Sequence, residues 1–325
     1  MKEAQLTERP QRLFLHVVLF LATFLTTTAA GAMYVHEKGA IIPIADGLEY
    51  SVPLLLILVC HELGHYFAAR AHGVDASLPY FIPLPPWISM LGTMGAVIGM
   101  RDVTTDRKKL IDIGAAGPLA GIIVAIPVLV YGLARSKVGV IAGDGYQEGN
   151  SILYAVLKHA LKGEWLPQGY RDVAMHPTAW AGWAGLLVTM INLLPIGQLD
   201  GGHIATAYFG NGYNRFARAF HRALPLMAIG VFAWVMHVIR DQAGARWDWW
   251  LGANIATGAA LFWMIWYVLL SILGRLSGAG VDHPEVDEKK LPASRRALFW
   301  LVLLVFALIF MPVPLRASLG AGVTP

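Results

Sequence analysis

The sequence predicts an all-α polytopic membrane protein of about six to seven transmembrane helices, with a small re-entrant β element between the second and third spans. Of 325 residues, 56% are hydrophobic and only 14% are charged, against about a quarter charged in an ordinary soluble domain. Several apolar runs are long enough, or nearly so, to cross about 30 Å of hydrocarbon. These seven runs lie at approximately Leu13–Met33, Ser51–Ala71, Ile111–Leu133, Thr178–Pro195, Ala223–Ile239, Leu251–Leu273 and Ala297–Leu315.

The first run allows two interpretations. It follows basic residues and ends in small ones, Ala29 to Ala32, as a cleaved signal peptide would. Its length exceeds the about 7–15 apolar residues typical of such peptides. A retained transmembrane helix is therefore the preferred interpretation, and the signal peptide is the alternative.

The second run carries the sequence CHELGH, Cys60 to His65. On a helix, His61 and His65 lie about 40° apart and one turn above each other, so their imidazoles can hold one metal ion. Glu62 projects beside them, where a general base can reach a water on that metal. A structural histidine pair is the alternative, but ionisable groups within a membrane span usually mark a functional site.

The segment Leu78–Asp102 is apolar but contains four prolines between Pro79 and Pro86, which argues against a continuous helix. Irregular backbone at membrane depth is tolerated only where protein or a water-filled cavity satisfies it. We therefore expect a re-entrant loop that leads into short strands around Gly92, Gly95 and Gly99, beside the metal. A plain cytoplasmic loop on the membrane interface is the alternative.

In the third run, Gly117 and Gly121 form a pair of small residues that close helix packing explains. The fourth run ends in NLLPIGQLDGGH, Asn192 to His203. Pro195 and Gly197 should break the helix, and Asp200 is then either an ordinary N-cap or a third metal ligand.

A catalytic zinc normally has three protein ligands. Because both motifs are predicted at the same membrane face, the ligand interpretation of Asp200 is preferred. His203, three residues later, would then lie close to Asp200 without binding the metal itself.

Basic residues concentrate in alternate connections between the apolar runs, which places those connections and the N-terminus in the cytoplasm. The basic residues used for this prediction are Lys2, Arg9, Arg12, Arg70, Arg101, Arg107, Lys108, Lys109, Arg215, Arg218, Arg222, Arg275, Lys289, Lys290, Arg295 and Arg296. The formal charge of +4 is accordingly interpreted as membrane topology, and no nucleic-acid partner is expected. The single cysteine, Cys60, excludes an intramolecular disulfide.

The two motifs together resemble the site-2 protease family of intramembrane zinc metalloproteases. The resemblance rests on His61-Glu62-x-x-His65 and on Asn192-x-x-Pro195-x-x-x-Leu199-Asp200-Gly201, and it covers about residues 50 to 205. It implies one Zn²⁺ per chain on His61, His65 and Asp200, Glu62 as general base, and Asn192 on the substrate or the developing oxyanion.

The family has a Gly-x-x-Gly sheet at the position of Gly92 and Gly95, which we expect beside the substrate backbone. Many bacterial relatives carry a PDZ domain, but none is recognised in this sequence.

We therefore expect three regions: residues 1–49 with the first span, the catalytic membrane core 50–205, and C-terminal transmembrane helices in 206–325. The expected protein is an integral protein of the bacterial inner membrane that cleaves single-span membrane substrates, with its active site open to the cytoplasm. A metal transporter would place ligands in several spans at different depths, and an inactive scaffold would have no need of Glu62. Both remain alternatives.

Overall fold

The computed structural model describes residues 13–34, 44–99, 104–140, 146–169, 171–244, 247–276, 278 and 280–317. The predicted topology residues Lys2, Arg9, Arg12 and Arg101 lie outside these ranges, as do positions 100–102 of the proline-rich segment. The helices are α1 (Leu13–Tyr34), α2 (Ile44–Ala71), α3 (Arg107–Arg135), α4 (Ile152–Lys162), α5 (Pro177–Asn192), α6 (Asp200–Phe209), α7 (Asn214–Ala243), α8 (Trp249–Leu276) and α9 (Ala293–Ile309). The strands are β1 (Tyr80–Pro83), β2 (Thr93–Val97), β3 (Lys137–Val140), β4 (Tyr146–Glu148), β5 (Arg171–Ala174) and β6 (Leu315–Ala317).

The fold is mostly helical, as predicted, and each of the seven apolar runs has a helix. Within the described residues, five helices are long and apolar enough to cross a membrane: α1, α2, α3, α7 and α8. Helices α5 and α9 are shorter, with 16 and 17 residues. The protein is thus a membrane protein with at least these five candidate spans.

Helices α2, α3 and α5 pack against one another and form the centre of the bundle. Small residues allow this close approach. A Cβ on Gly182 of α5 would lie 2.7 Å from Leu129 Cα of α3, and one on Gly132 of α3 would lie 2.2 Å from the Ala179 nitrogen of α5. Glycine brings helix backbones together where lipid supplies no hydrophobic driving force, and this fixes α2, which carries His61 and His65, against α3 and α5.

Strands β1 and β2 form an antiparallel pair in the segment for which short strands were predicted, with Tyr80 opposite Val97 and Phe81 opposite Ala96. Gly92 precedes β2 with a φ of +74°, and a Cβ there would lie 2.5 Å from the Thr26 carbonyl oxygen of α1. The Thr26 hydroxyl donates a hydrogen bond to the Gly92 carbonyl at 2.7 Å. Because Gly92 has no side chain, the β1–β2 hairpin can pack directly against α1.

The connection between α3 and α5 lies near the start of α2, where His176 Nε2 is 3.0 Å from Glu49 Oε2. It contains β3 paired with β5 and α4, where an amphipathic piece was predicted. Lys158 of α4 is fully buried, with its ammonium 3.0 Å from Asp172 Oδ1 and 3.6 Å from Glu148 Oε1. Burial raises the pKa of Glu148 to about 7, although the Lys158 charge opposes this shift. These paired charges stabilise the connection between α3 and α5. They do not belong to the candidate site.

Candidate active site

His61 and His65 occupy the face of α2 that packs on α3, and both side chains are buried. A Cβ on Gly117 of α3 would lie 2.0 Å from His65 Nε2, and one on Gly121 would lie 3.1 Å from His61 Nδ1. Close helix packing alone was predicted for both glycines. In the structure their missing side chains also make room for the two imidazoles.

A backbone carbonyl orients His65. Its Nδ1 lies 2.8 Å from the Ile113 carbonyl oxygen of α3. Because a carbonyl oxygen only accepts, Nδ1 carries the proton and the neutral ring keeps a lone pair on Nε2. This hydrogen bond fixes the tautomer that a metal ligand needs.

Asp200 reaches the histidines because the chain turns sharply after α5. The turn uses Gly197 with a φ of +54°, and Leu199 occupies the N-cap of α6 without a side-chain hydrogen bond. Asp200 is therefore the first helical residue and not the N-cap that the alternative interpretation required. A Cβ on Gly201 would lie 2.1 Å from the Leu193 carbonyl oxygen, so the tight contact of α6 with its own turn requires glycine at position 201.

The Asp200 Oδ2 atom lies 3.2 Å from Nε2 of His61 and 3.2 Å from Nε2 of His65. The two histidine Nε2 atoms are also 3.2 Å apart. Ligand atoms at about 2.0–2.1 Å from a tetrahedral zinc are separated by about 3.3 Å, so the three atoms fit one such ion and leave a fourth position open. Within the described parts of the chain, this is the one group of three histidine, cysteine or carboxylate side chains with this spacing.

A cavity of about 150 Å³ adjoins these three residues, and Glu62, Asn192 and His203 also line it. Glu62 is 5% exposed. The Asn192 Nδ2 atom lies 3.3 Å from His61 Nε2, so its amide faces the space around the three potential ligand atoms. The cavity thus combines a metal-binding set with a buried carboxylate and an amide donor.

The end of β2 reaches the cavity, but the predicted glycines do not. Ala96, Val97 and Ile98 line its wall. Gly92 lies against α1, and the Gly95 N–H donates to the Thr93 hydroxyl at 2.9 Å. The residues that line the cavity, Ala96 to Ile98, fall within the stretch from Gly92 to Gly99 in which short strands were predicted.

His203 lines the cavity, yet its Nδ1 faces His283 at 2.7 Å. No local spacing in the sequence connects His203 with His283, which lies 80 residues further along the chain.

Comparison with known proteins identifies the family of this chain. Residues 49–236 match the sequence profile of Peptidase family M50, which confirms the resemblance to site-2 proteases. The chain is 34% identical over 212 residues to "Probable zinc metalloprotease EGY1, chloroplastic" of Arabidopsis thaliana, which covers 62% of this chain and 37% of that protein. It is 32% identical over 206 residues to the corresponding EGY2 protein of the same plant, covering 61% of this chain and 36% of that protein.

A longer match, at 26% identity over 318 residues, relates 91% of the chain to 47% of "Probable zinc metalloprotease EGY3, chloroplastic" of Oryza sativa subsp. indica. The chain thus spans less than half the length of these curated relatives. The matched family region nevertheless covers more than half of the chain and contains both motifs, and the chain belongs to Peptidase family M50.

Proposed function

We propose that this protein is a zinc metalloendopeptidase that hydrolyses peptide bonds within or next to transmembrane segments of other membrane proteins. The observation that carries the proposal is the triangle of His61, His65 and Asp200 ligand atoms, 3.2 Å apart, next to a buried glutamate. His61 and His65 belong to α2, a helix long and apolar enough to span a membrane. The relatives named as zinc metalloproteases support the same activity.

In this proposal, His61, His65 and Asp200 hold one zinc ion per chain. When bound, zinc would supply Lewis acidity, polarising the scissile carbonyl and lowering the pKa of water to about 7. The Ile113 carbonyl keeps His65 in the required tautomer. Catalytic zinc sites use such a ligand set, with two imidazoles, one carboxylate and one open position.

Glu62 is the general base. Its carboxylate takes a proton from water as the water oxygen forms a bond to the scissile carbonyl carbon. The Asn192 amide donates a hydrogen bond to the oxygen on which negative charge develops. Glu62 then gives the proton to the departing amine nitrogen as the C–N bond breaks, so the carboxylate is regenerated.

The substrate backbone pairs with β2 in this proposal. A peptide bond in a transmembrane helix must be unwound before water can attack it, and the freed N–H and C=O groups then need partners. One edge of β2 pairs with β1, and Ala96, Val97 and Ile98 face the cavity. Addition of the substrate as a further strand would satisfy its backbone and present it extended to the site.

The membrane arrangement is also part of the proposal. We propose that α5 and α9 also cross the membrane, which gives seven spans, and that the β1–β2 hairpin is re-entrant. Residues 50–205 form the catalytic core. The N-terminus and the cavity face the cytoplasm. Concentration of the basic residues in alternate connections supports this orientation. The relatives are chloroplast proteins, so they lend no support to a bacterial inner membrane, and the proposal is an integral membrane protease with this orientation.

A cleavage assay tests the activity. The purified protein in nanodiscs is incubated with single-span membrane substrates, and the cut position is determined by mass spectrometry. We expect cleavage within or next to the transmembrane segment, its loss after treatment with a chelator, and its recovery on addition of Zn²⁺. Cleavage that continues at the same rate in the chelated protein would refute a zinc protease, and zinc passage across the bilayer without cleavage would favour a transporter.

A proline scan from Thr93 to Ile98 tests strand addition in the same assay. Proline removes one backbone N–H. The cleavage rate should therefore fall only where the replaced residue's N–H faces the substrate. We expect alternate positions to lose cleavage while zinc content and thermal stability in detergent are retained. Normal cleavage by every folded proline variant would show that the substrate does not pair with β2.

A further inference from the structure

The segment Gly280–Pro292, here called the strap, connects α8 with α9. It lies outside the residues that match the family profile, which end at position 236. It forms no helix or strand from Asp282 to Pro292, yet hydrogen bonds hold it along its length. An irregular segment with this many fixed contacts has a defined position in the fold.

Two asparagines near the start of α7 hold the strap backbone. The Asn214 side chain donates to the His283 carbonyl at 3.0 Å and accepts from the His283 N–H at 2.9 Å. Asn211 makes the same pair of hydrogen bonds with Val286, at 3.1 Å and 2.8 Å. Each side-chain amide thus makes the pair of backbone hydrogen bonds that a neighbouring strand would otherwise make. These bonds fix the strap backbone at His283 and Val286.

The strap contacts the turn and the helix that carry Asp200. The Gly197 N–H in the turn before α6 donates to the Val281 carbonyl at 3.1 Å. The His203 side chain, one turn after Asp200, lies with its Nδ1 2.7 Å from His283 Nε2. The start of α6 is therefore attached to the strap on both sides of Asp200.

The far end of α6 is attached as well, through Arg107 of α3. Its guanidinium donates to the carbonyls of Ala207 and Tyr208, both at 2.7 Å, and to the strap carbonyl of Lys289 at 3.1 Å. These carbonyls at the end of α6 have no partner within the helix. Arg107 thus links the strap to the last turn of α6.

The hydrogen bond between the two imidazoles has a definite direction. Burial lowers the pKa of His203 to about 4 and also lowers the pKa of His283, so burial favours the neutral form of both rings. His283 Nδ1 lies 2.7 Å from the Pro284 carbonyl oxygen, which can only accept. His283 Nε2 is therefore the acceptor for the His203 Nδ1–H.

We infer that the strap is part of the active site and that His283 is a positioning residue. By accepting the hydrogen bond from His203, it fixes the first turn of α6 and thereby the direction of the Asp200 carboxylate towards His61 and His65. The inference rests on the proposed function, since the direction of Asp200 matters only if Asp200 binds the metal. The catalytic core then includes residues 280–292 in addition to 50–205.

His283→Ala tests this role. We expect zinc affinity, measured by competition with a chromogenic chelator, to fall about tenfold, as is typical when a group that orients a ligand is lost. We expect kcat for a single-span substrate to fall by a similar factor and KM to stay within about twofold, because the strand that holds the substrate is unchanged. His283→Gln keeps an acceptor near the position of Nε2 and should recover most of the affinity.

Three further variants separate positioning from general stabilisation. His237→Ala removes an exposed histidine of α7 and should behave as the wild type. His203→Ala combined with His283→Ala should lower zinc affinity no further than His203→Ala alone, since the two residues act through one hydrogen bond. If His283→Ala is too unstable to purify, His283→Phe fills the same volume without an acceptor and should show the same tenfold loss.

Two outcomes would count against the inference in different ways. Wild-type zinc affinity and kcat in His283→Ala, beside a wild-type protein that binds zinc and cleaves, would overturn the role of the strap alone. A wild-type protein that binds no zinc would overturn the proposed function and the inference with it.

Discussion

Replacement of Glu62 by glutamine is expected to abolish peptide hydrolysis and to leave zinc binding intact. Glutamine has nearly the same shape, but its amide cannot take a proton from water. Loss of a general base typically costs about 10²–10⁴-fold in rate, and we expect the upper end of this range because Glu62 serves both as base and as donor to the leaving amine. The expected zinc content is one ion per chain in both proteins, because Glu62 lies beside the three potential ligands without belonging to them.

The measurement combines metal analysis with a cleavage assay on the same preparation. Glu164→Gln is the matched control, since Glu164 lies between α4 and β5, where it pairs with Arg171, and the same change of charge there should not affect the rate. Cleavage by Glu62→Gln at the wild-type rate would exclude Glu62 as the base. Loss of zinc from this variant would instead assign Glu62 to the metal.

Replacement of Asp200 by alanine is expected to remove both zinc and activity. The Asp200 Oδ2 atom is one of three potential ligand atoms, at 3.2 Å from each histidine Nε2, and among the described residues no other carboxylate forms a three-residue group with the two histidines. Zinc affinity should therefore fall by more than the about 10–100-fold that follows loss of a merely orienting group. Cleavage should be lost in proportion to the zinc.

Chelator competition and metal analysis after purification give the zinc affinity and content. Asp241→Ala is the matched control, because Asp241 is an exposed aspartate of α7. Thermal stability in detergent checks that α6 still packs, as Gly201 and Gly202 hold it against the preceding turn. Wild-type zinc content in Asp200→Ala would remove Asp200 from the ligand set.

The positions of the transmembrane helices were predictable from the sequence because each helix contains a long apolar run. The residues at which these helices begin and end were less predictable. Helix α2 begins at Ile44, seven residues before the predicted run, since polar residues continue a helix beyond the hydrocarbon. Helix α5 ends at Asn192, three residues before the end of its run, because proline at position 195 disfavours a helical conformation in the residue that precedes it. Composition detects the apolar length of a span, whereas hydrogen bonding and capping decide where the helix stops.

The sequence by itself determined that His61 and His65 share one face of α2, because their spacing of four residues corresponds to one helical turn. It also placed a helix break before Asp200, through Pro195 and Gly197. Asp200 was predicted as a third ligand because both motifs fall at one membrane face, but only the tertiary structure brought its carboxylate to 3.2 Å from His61, across 139 residues of chain. The same is true of Gly117 beside His65 and of His283 beside His203. Such contacts depend on how α3, α6 and the strap pack around α2, and local sequence patterns carry information only about residues a few positions apart.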